Sequence, residues 1–427
     1  MFLVRSQSAT RYFSRRTLTK IISDESAKTR AVFDKEHLYG AHNYHPLPVA
    51  ISRGKGVYVW DVDGKQYIDC LAAYSAVNQG HCHPKILKAL HEQAEKLPII
   101  SRAFYSDILG EYEKFITELF GYSKVLPMNT GVEGGETALK LARKWAYNIK
   151  KVPQNKAKII FAEGNFWGRT LTACSSSTDS SVYEGFGPFM PNLLTIPYDD
   201  LNALEDTFKD PNVAAFMVEP IQGEAGVIVP SDGYLTGVRR LCDQYNVLFI
   251  ADEIQSGLGR TGKMLCVDHD NVKPDIVILG KALSGGVYPV SAVLADDGIM
   301  LQIKPGEHGS TYGGNPLACS VAMAALKVLI DENLCENSLR LGEIFRTELR
   351  ELVPESLFTT IRGKGLFTGV VVGKGYDAWK ICLKLRDNGL LAKPTHGDRI
   401  RFTPPLCINE DQLNECIAII VKTLREF

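Results

Sequence analysis

Short apolar runs alternate with amphipathic segments in the middle of the chain, from about residue 105 to about residue 330. Continuous apolar runs bounded by turn residues are typical of strands that are buried on both faces of a parallel sheet. The runs predict strands at 158–162, 214–218, 247–251, 275–279 and 289–294. Because these strands alternate with helical patterns, we expect an α/β fold with a mostly parallel central sheet.

Both ends of the chain have a different pattern. Residues 56–70 predict a β-hairpin with its turn at Asp63 and Gly64. After Ala324, we expect a long helix, two short strands, a helix near 376–388 and a final helix from Glu410. The predicted domains are, in chain order, an N-terminal segment of a small α+β domain at 34–84, a large domain at 85–325 and the rest of the small domain at 326–427.

The first 23 residues are basic and rich in Ser and Thr, and the first acidic residue is Asp24. Apolar side chains such as Phe13 and Leu18 lie among the basic ones. This mixture favours an amphipathic targeting helix over a nucleic-acid-binding arm or a plain disordered tail. We therefore predict a mitochondrial transit peptide at 1–23 and a location in the mitochondrial matrix.

The overall composition narrows the class of protein. The net charge is −1 and no apolar run approaches the ~18 residues of a membrane span, so we expect neither nucleic-acid nor membrane binding. The ten cysteines show no paired spacing, which favours a reducing compartment over a disulfide framework. His81, Cys82 and His83 resemble a metal motif, but adjacent residues rarely bind one ion without distant partners, so we predict no metal.

Two charged residues follow predicted strands: Asp252 comes after 247–251, and Lys281 comes after 275–279. Ligands of open α/β sheets bind beyond the carboxyl ends of the strands, so we expect both side chains in one crevice. A lysine that can bind an aldehyde covalently and a carboxylate for a pyridinium nitrogen are the minimal requirements of a pyridoxal-phosphate (PLP) enzyme. A lone strand-end lysine is more often a solvated surface residue, so other motifs must decide.

Two polar segments are suited to a phosphate group. Gly131 and Val132 lie in the glycine-rich segment 129–136, directly before a helical pattern at 137–147, where backbone N–H groups can approach a phosphate; an ordinary glycine-rich helix start would look the same. Ser310 and Thr311 lie in a glycine-rich turn whose hydroxyls suit phosphate oxygens.

Three loops follow strands at the same edge of the predicted sheet. Phe166 could stack on a pyridine ring and Arg169 could bind a carboxylate, but an aromatic core residue beside a surface arginine is the alternative. Glu224 lies in the loop after the next strand. Residues 257–262 match G-x-G-x-x-G, but no helical pattern follows, so we predict a mobile loop and no dinucleotide site.

The segments 39–48, 74–84, 164–170, 251–255 and 391–397 resemble the class III (ω-amino acid) aminotransferases of PLP fold type I. The resemblance covers nearly the whole chain from about Asp34 to Phe427 and is strongest for members that use ornithine. It implies an enzyme, at least a homodimer, that converts L-ornithine and 2-oxoglutarate to L-glutamate 5-semialdehyde and L-glutamate by a ping-pong mechanism. Such a reaction links arginine and ornithine catabolism to proline synthesis.

For the cofactor, the resemblance implies that Lys281 binds PLP covalently and also moves the proton, while Asp252 pairs with the pyridine nitrogen. Gln255 would lie near the phenolic oxygen, and Phe166 would stack on the ring. The implied phosphate-binding residues are Gly131 and Val132 of one subunit with Ser310 and Thr311, of which Thr311 comes from the neighbouring subunit.

For the substrates, the resemblance implies that Arg401 binds an α-carboxylate and that Glu224 masks it, by forming an ion pair, during the ornithine half-reaction. Arg169 would then hold the distant carboxylate of ornithine, while Tyr44 would mark its free α-amine and Tyr74 would shape the pocket. With 2-oxoglutarate the ion pair would open, and Arg169 would bind the γ-carboxylate. A surface arginine and a plain loop acid are the alternatives for Arg401 and Glu224.

Two other functions stay open. One is an acetylornithine or 4-aminobutyrate aminotransferase of the same family, against which Tyr44 and Tyr74 argue because they serve to recognise a free α-amine. The other is a scaffold protein with a PLP fold and no catalysis. Lys281, Asp252 and Arg169 argue against the scaffold, since it does not need them.

Overall fold

The computed structural model describes residues 25–427, so the transit peptide predicted at 1–23 lies outside the described residues. The first elements are α1 (Ala27–Tyr39), β1 (Ile51–Lys55), β2 (Tyr58–Asp61), β3 (Gln66–Asp69), the short turn α2 (Ala72–Ser75), α3 (Pro84–Lys96) and α4 (Leu109–Phe120). Strands β2 and β3 form the predicted antiparallel hairpin. Asp61 Oδ1 stabilises its turn by accepting the backbone N–H groups of Asp63 and Lys65.

A seven-stranded sheet occupies the centre of the molecule. Its strands are β4 (Lys124–Met128), β5 (Lys158–Ala162), β6 (Leu193–Ile196), β7 (Val213–Val218), β8 (Leu248–Asp252), β9 (Ile276–Leu279) and β10 (Ser291–Ala295). Their order is β4-β10-β9-β8-β7-β5-β6, and only β10 runs against the other strands. The mostly parallel sheet is confirmed, and the five predicted strands differ from the observed ones by at most two residues at either end.

Helices pack on both faces of this sheet. They are α5 (Gly131–Trp145), α6 (Leu171–Ser176), α7 (Ser180–Tyr183), α8 (Leu201–Phe208), α9 (Tyr234–Tyr245), α10 (Asp297–Met300) and α11 (Pro316–Asp331). Alternate strand residues belong to different hydrophobic clusters: Phe161 packs with the apolar side of α5, whereas Ile160 belongs to the cluster that contains α9 and α11. Both faces are therefore buried, which explains why the strands are continuous apolar runs.

The C-terminal part forms a four-stranded sheet of its own and adds one strand to the N-terminal sheet of β1, β2 and β3. Its elements are α12 (Leu334–Leu352), β11 (Phe358–Lys364), β12 (Phe367–Val372), α13 (Ala378–Asp387), β13 (Leu390–Leu391), β14 (Lys393–Thr395), β15 (Arg399–Phe402) and α14 (Glu410–Leu424). Strands β11, β12, β15 and β14 form an antiparallel sheet in that order, while β13 pairs in parallel with β3. The long helix predicted after Ala324 is present as α12, but it begins only at Leu334, because the chain bends at Asn333 (φ 51°) between α11 and α12.

The histidines of the possible metal motif have separate partners. His81 Nε2 lies 2.8 Å from Asp69 Oδ2, and His83 Nε2 lies 3.2 Å from Glu332 Oε2. Within residues 25–427, no group of three or more His, Cys, Asp or Glu side chains is placed to hold a metal ion. In the same range, no helix combines the length and apolar character needed to cross a bilayer.

The glycine-rich loop at 257–262 is buried, contrary to the prediction of a mobile loop. Arg260 at its centre is 0% exposed. Its guanidinium donates to Leu366 O at 2.8 Å, to Pro404 O at 2.7 Å and to Asn78 Oδ1 at 2.5 Å. These acceptors come from distant parts of the chain, so one side chain ties the N-terminal and C-terminal segments to the central domain.

We expect Arg260→Ala to lower the free energy of unfolding by about 2–5 kcal/mol, because it leaves several buried acceptors without a donor. Chemical denaturation measures the change. Arg350→Ala is the matched control: Arg350 is exposed and makes one bond to a carbonyl, that of Ile361 at 3.2 Å, so its loss should cost no more than about 0.5 kcal/mol. Equal effects of the two substitutions would contradict the structural role of Arg260.

Candidate active site

Four neighbouring strands end at one edge of the central sheet, each next to a polar or aromatic side chain. Because β9, β8, β7 and β5 are parallel and adjacent, their carboxyl ends lie side by side. Lys281 follows β9, Asp252 ends β8, Glu219 follows β7 and Phe166 lies in the loop after β5. The structure thus brings Lys281 and Asp252 together, as the strand pattern predicts.

Asp252 is a carboxylate in an apolar environment. Its side chain is 4% exposed, and its Oδ1 accepts the N–H of Ile254 at 3.1 Å. Burial raises the pKa of Asp252, while the Ile254 N–H and the nearby Lys281 act in the opposite direction. A buried carboxylate gains most from a cationic partner, so this position fits the protonated ring nitrogen of PLP.

Lys281 occupies a backbone conformation that is unusual for a lysine. Its φ is 44°, in the left-handed region, and it opens a 3₁₀ turn over Lys281–Ser284 directly after Gly280. Burial lowers the pKa of Lys281, and the charges of Asp252 and Glu219 partly compensate. A lowered pKa increases the fraction of neutral amine, which is the form that attacks a carbonyl group.

The N-terminus of α5 offers backbone donors at the same edge. Thr130 caps this helix in a capping box with Glu133, which leaves the N–H groups of Gly131 and Val132 at the first helical positions. A Cβ at Gly131 would lie 2.8 Å from Ile254 Cδ1, so a larger residue here would displace the Ile254 side chain. Such a helix start fits a phosphate group. Asn129 Nδ2 donates to Ser310 Oγ at 2.8 Å, so the turn with Ser310 and Thr311 lies beside this helix start.

Phe166 and Arg169 lie together in the loop after β5. The guanidinium carbon of Arg169 is 5.4 Å from the centre of the Phe166 ring. Arg169 is exposed, and among residues 25–427 it forms an ion pair with no carboxylate, so its charge is available to a substrate. The Phe166 backbone N–H donates to Glu219 Oε1 at 2.9 Å, which fixes the position of the aromatic residue.

Arg401 and Glu224 form an ion pair at the boundary between the central sheet and the C-terminal sheet. Arg401 Nη1 lies 3.0 Å from Glu224 Oε2, and the side-chain exposures are 3% and 33%. The Arg401 guanidinium also lies 5.2 Å from the centre of the Tyr74 ring. Both residues act electrostatically on Lys281, so the pair lies near this lysine.

Tyr74 lies in a strained turn. Residues Ala72, Ala73, Tyr74 and Ser75 all have φ between 46° and 71°, a left-handed conformation that costs roughly 1–2 kcal/mol per residue. Asp69 Oδ1 holds the start of the turn by accepting the N–H groups of Leu71 and Ala72, both at 2.9 Å.

The strained turn lies close to two further predicted site residues, Gln255 and Tyr44. Tyr74 O accepts a bond from Gln255 Nε2 at 3.3 Å. Tyr44, which is 67% exposed, lies within electrostatic range of the Tyr74 phenol. Strain of this kind is found where the surrounding structure fixes a functional side chain.

Glu219 is a site residue that the sequence analysis missed. It is 7% exposed, and burial, followed by the charge of Asp252, raises the pKa of Glu219. The available signal was the same one that identified Asp252: an acidic residue directly after a continuous apolar strand. The resemblance points instead to Glu224 in the following loop, and it assigns no role to Glu219.

Comparisons with known proteins show extensive similarity. The family model "Aminotransferase class-III" matches residues 39–424. The mitochondrial ornithine aminotransferase of Drosophila ananassae is 66% identical over 411 residues, which are 95% of each chain. The crystal structure of the ornithine aminotransferase from Toxoplasma gondii ME49 has a TM-score of 0.92 and 49% identity, and the match covers 97% of this chain and 99% of that chain. The acetylornithine aminotransferase from Elizabethkingia anophelis has a TM-score of 0.86 and 54% identity, with coverage of 93% and 99%.

We expect the stability of Glu219→Gln relative to the wild type to depend on pH. Because the folded-state pKa of Glu219 is raised, the folded protein binds more protons than the unfolded chain between the two pKa values. The stability of the wild type therefore falls as pH rises through that window, and the glutamine variant escapes this loss. Glu219→Gln should gain about 1–3 kcal/mol relative to the wild type between pH 5 and pH 8.5.

Chemical denaturation at the two pH values measures this difference. Glu219→Ala is the control, since it removes the acceptor of the Phe166 N–H and should destabilise the protein at both pH values. A stability difference between Glu219→Gln and the wild type that stays constant with pH would show that Glu219 does not titrate in this range.

Proposed function

Because this chain belongs to the class-III aminotransferases, we propose that it transfers the δ-amino group of L-ornithine to 2-oxoglutarate. The products are L-glutamate 5-semialdehyde and L-glutamate. The enzyme has the PLP-dependent fold of its family, and its substrates are small molecules. The semialdehyde cyclises spontaneously, so the reaction connects the breakdown of ornithine and arginine with the formation of proline.

The observation that carries this proposal is the ion pair between Glu224 and Arg401. An aminotransferase for α-amino acids needs a permanently available arginine for the α-carboxylate. Here the buried arginine is neutralised by a glutamate at 3.0 Å, beside the reactive lysine. Ornithine, which must present its terminal amine, therefore meets no free cation next to Lys281, and its carboxylate binds instead to the exposed Arg169. For 2-oxoglutarate the pair opens, and Arg401 and Arg169 bind the two carboxylates.

The residues around the cofactor have separate tasks. When bound, PLP supplies the electron sink that allows the hydrogen on the amine-bearing carbon to leave as a proton. Lys281 would hold PLP covalently before the substrate binds, and its amine, once the substrate has displaced it, would accept and return that proton. Asp252 would keep the ring nitrogen protonated, Phe166 would cover the ring and Gln255 would lie near the phenolic oxygen. Gly131, Val132 and Ser310 would bind the phosphate together with the neighbouring subunit's Thr311.

We further propose that the active unit is a homodimer in which Thr311 completes the phosphate site of the neighbouring subunit. Thr311 is exposed, and it lies on a surface pocket that also contains Ile100 and Arg102. Nearby positions in the sequence expose large apolar side chains, with Tyr105 103% and Tyr312 53% exposed. Exposed aromatic residues beside an incomplete site are typical of a surface that a second subunit covers.

We propose that the enzyme lies in the mitochondrial matrix. The basic, acid-poor composition of residues 1–23 supports this location, as do relatives such as the one from Rattus norvegicus, which is 65% identical and described as mitochondrial. We also propose the division into a large and a small domain. The pairing of β13 with β3 supports joining the two ends of the chain in one domain, and the end of α11 at Asp331 is a more natural boundary than 325/326.

The similarity to an acetylornithine aminotransferase makes that activity the second candidate. If Tyr44 and Tyr74 recognise a free α-amine, kcat/KM for L-ornithine should exceed the values for N-acetylornithine and 4-aminobutyrate by about 100-fold or more. Steady-state assays of the three amines with 2-oxoglutarate measure this ratio. Lys281→Ala is the control and should be inactive with all three, whereas a preference of the wild type for N-acetylornithine would select the second candidate.

The ion pair can be tested by comparing the two half-reactions. Glu224→Ala should expose Arg401 throughout the cycle, so α-amino acids bind with their α-amine at Lys281. We expect the ornithine half-reaction to slow and the glutamate half-reaction to be spared or improved, a shift of about 1–3 kcal/mol in preference. Stopped-flow kinetics of each half-reaction measures this shift.

Glu163→Ala is the matched control for this experiment, since Glu163 is an exposed acid that follows β5 at the same edge of the sheet. It should leave the preference between the two half-reactions unchanged. Equal slowing of both half-reactions in Glu224→Ala would mean that Glu224 is a structural acid.

A further inference from the structure

The loop that carries Glu224, residues 223–227, is bound to the C-terminal sheet through every one of its carbonyl groups. We call these residues the Glu224 loop. The bonds are, in chain order, Arg401 Nη1 to Gly223 O (3.3 Å), Thr395 Oγ1 to Glu224 O (2.9 Å), Arg399 Nη1 to Ala225 O (2.5 Å), Arg362 Nη2 to Gly226 O (2.9 Å) and Arg362 Nε to Val227 O (2.9 Å). The donors come from β11, β14 and β15.

The conformation of the Glu224 loop depends on these contacts. Val227 has φ 56°, which is unfavourable for a β-branched residue, and it is 0% exposed against Phe367 and its neighbours. Gly226 has φ +104°, and a Cβ at this position would lie 2.4 Å from Arg399 Cδ. The loop therefore adopts a strained backbone that the surrounding side chains hold in place.

Two positively charged side chains, those of Arg362 and Arg399, lie close to each other where they bind this loop. Burial and the charge of Arg399 both lower the pKa of Arg362. Placing two guanidinium groups near each other is unfavourable, so their bonds to the loop carbonyls must offset the repulsion. Among residues 25–427, the only carboxylate paired with either guanidinium is Asp398, at 3.4 Å from Arg399 Nε, and its side chain is 57% exposed. The loop is thus the main partner of both arginines.

We propose that Arg362, Thr395 and Arg399 are positioning residues that fix the main chain of the Glu224 loop, so that the ion pair with Arg401 opens by rotation of the Glu224 side chain alone. This inference rests on the proposed function of that ion pair. Movement of the loop would break all the bonds from the three anchoring residues. Rotation breaks only the ion pair and a 3.3 Å bond from Thr395 Oγ1 to Glu224 Oε1.

The same geometry keeps Arg401 ready for a carboxylate. Its Nη1 donates to Gly223 O and lies 3.0 Å from Glu224 Oε2, so the bond to the loop remains after the glutamate has turned away. Arg401 is 2% exposed and cannot follow the glutamate toward solvent. Specificity for the two substrates then depends on how accurately the loop places one carboxylate, which makes the anchoring residues determinants of specificity at a distance from the reacting atoms.

A double-mutant cycle between Arg399→Met and Glu224→Ala tests the proposal. Methionine keeps an apolar stem against Gly226 and removes the donor to Ala225 O. In the wild-type background, Arg399→Met should lower the ratio of the ornithine to the glutamate half-reaction rate by about 3- to 30-fold. In the Glu224→Ala background it should change the ratio by less than about 2-fold, because it acts only through Glu224.

A binding measurement provides a readout that does not involve catalysis. Glutarate, a dicarboxylate that can bind to Arg401 only when the ion pair is open, should bind to the apoprotein of Arg399→Met more tightly than to wild-type apoprotein, as measured by calorimetry. If Arg399→Met does not fold, Thr395→Val replaces it in this experiment. Valine has nearly the same shape as threonine but lacks the donor to Glu224 O, so this variant should change glutarate binding in the same direction. Arg350→Met, which removes the bond to Ile361 O elsewhere on β11, is the control and should change neither readout.

The outcomes separate this inference from the proposed function. If Glu224→Ala shifts the ratio but Arg399→Met and Thr395→Val leave it unchanged, the ion pair has its proposed role and the anchoring residues do not control it. An equal effect of Arg399→Met in both backgrounds would show a general structural role and overturn the inference. If Glu224→Ala itself leaves the ratio unchanged, both proposals are overturned.

Discussion

The parallel pairing of β9, β8, β7 and β5 is the constraint on which the rest of the site depends. Parallel strands end at the same edge, and these strands are buried on both faces. The first polar residue after each apolar run must therefore lie at a boundary between protein interior and cleft. Asp252, Glu219 and Lys281 reach this edge on main-chain segments that the sheet holds rigidly, which gives the precision that catalysis requires.

Burial at this edge also determines the chemistry. Charged groups are poorly stabilised away from water, so burial favours the neutral form of each group. It therefore raises the pKa of an acid and lowers the pKa of an amine. Both acids have raised pKa values and Lys281 has a lowered one, with burial as the largest cause in each case. Two buried acids beside one amine would be stabilised by a further cation, and the protonated ring nitrogen of PLP is the cation that we propose for this position. Cofactor binding should therefore also stabilise the fold.

Much of the fold and part of the site could be predicted from the sequence, because apolar runs mark buried strands and strand ends mark ligand sites. The direction of β10 could not, since the period of a strand does not depend on its direction. The burial of the loop at 257–262 could not be predicted either, because the acceptors of Arg260 at Asn78 and Leu366 are distant in the sequence. The left-handed turn at Tyr74 was equally hidden, since it depends on tertiary contacts that override local preference.

In the proposed function, the Glu224–Arg401 pair separates the two substrates by charge more than by shape. Ornithine and 2-oxoglutarate have carbon chains of the same length, so a pocket defined by volume discriminates poorly between them. A buried arginine without a partner would bind any α-carboxylate, and it would also be costly to maintain in the absence of substrate. A neighbouring glutamate solves both problems at once, but only if its carboxylate is placed within hydrogen-bond distance each time the site closes. The Glu224 loop satisfies this condition, because all its carbonyls are bound to the sheet that contains Arg401. The carboxylate of Glu224 and the guanidinium of Arg401 are then held by the same rigid sheet.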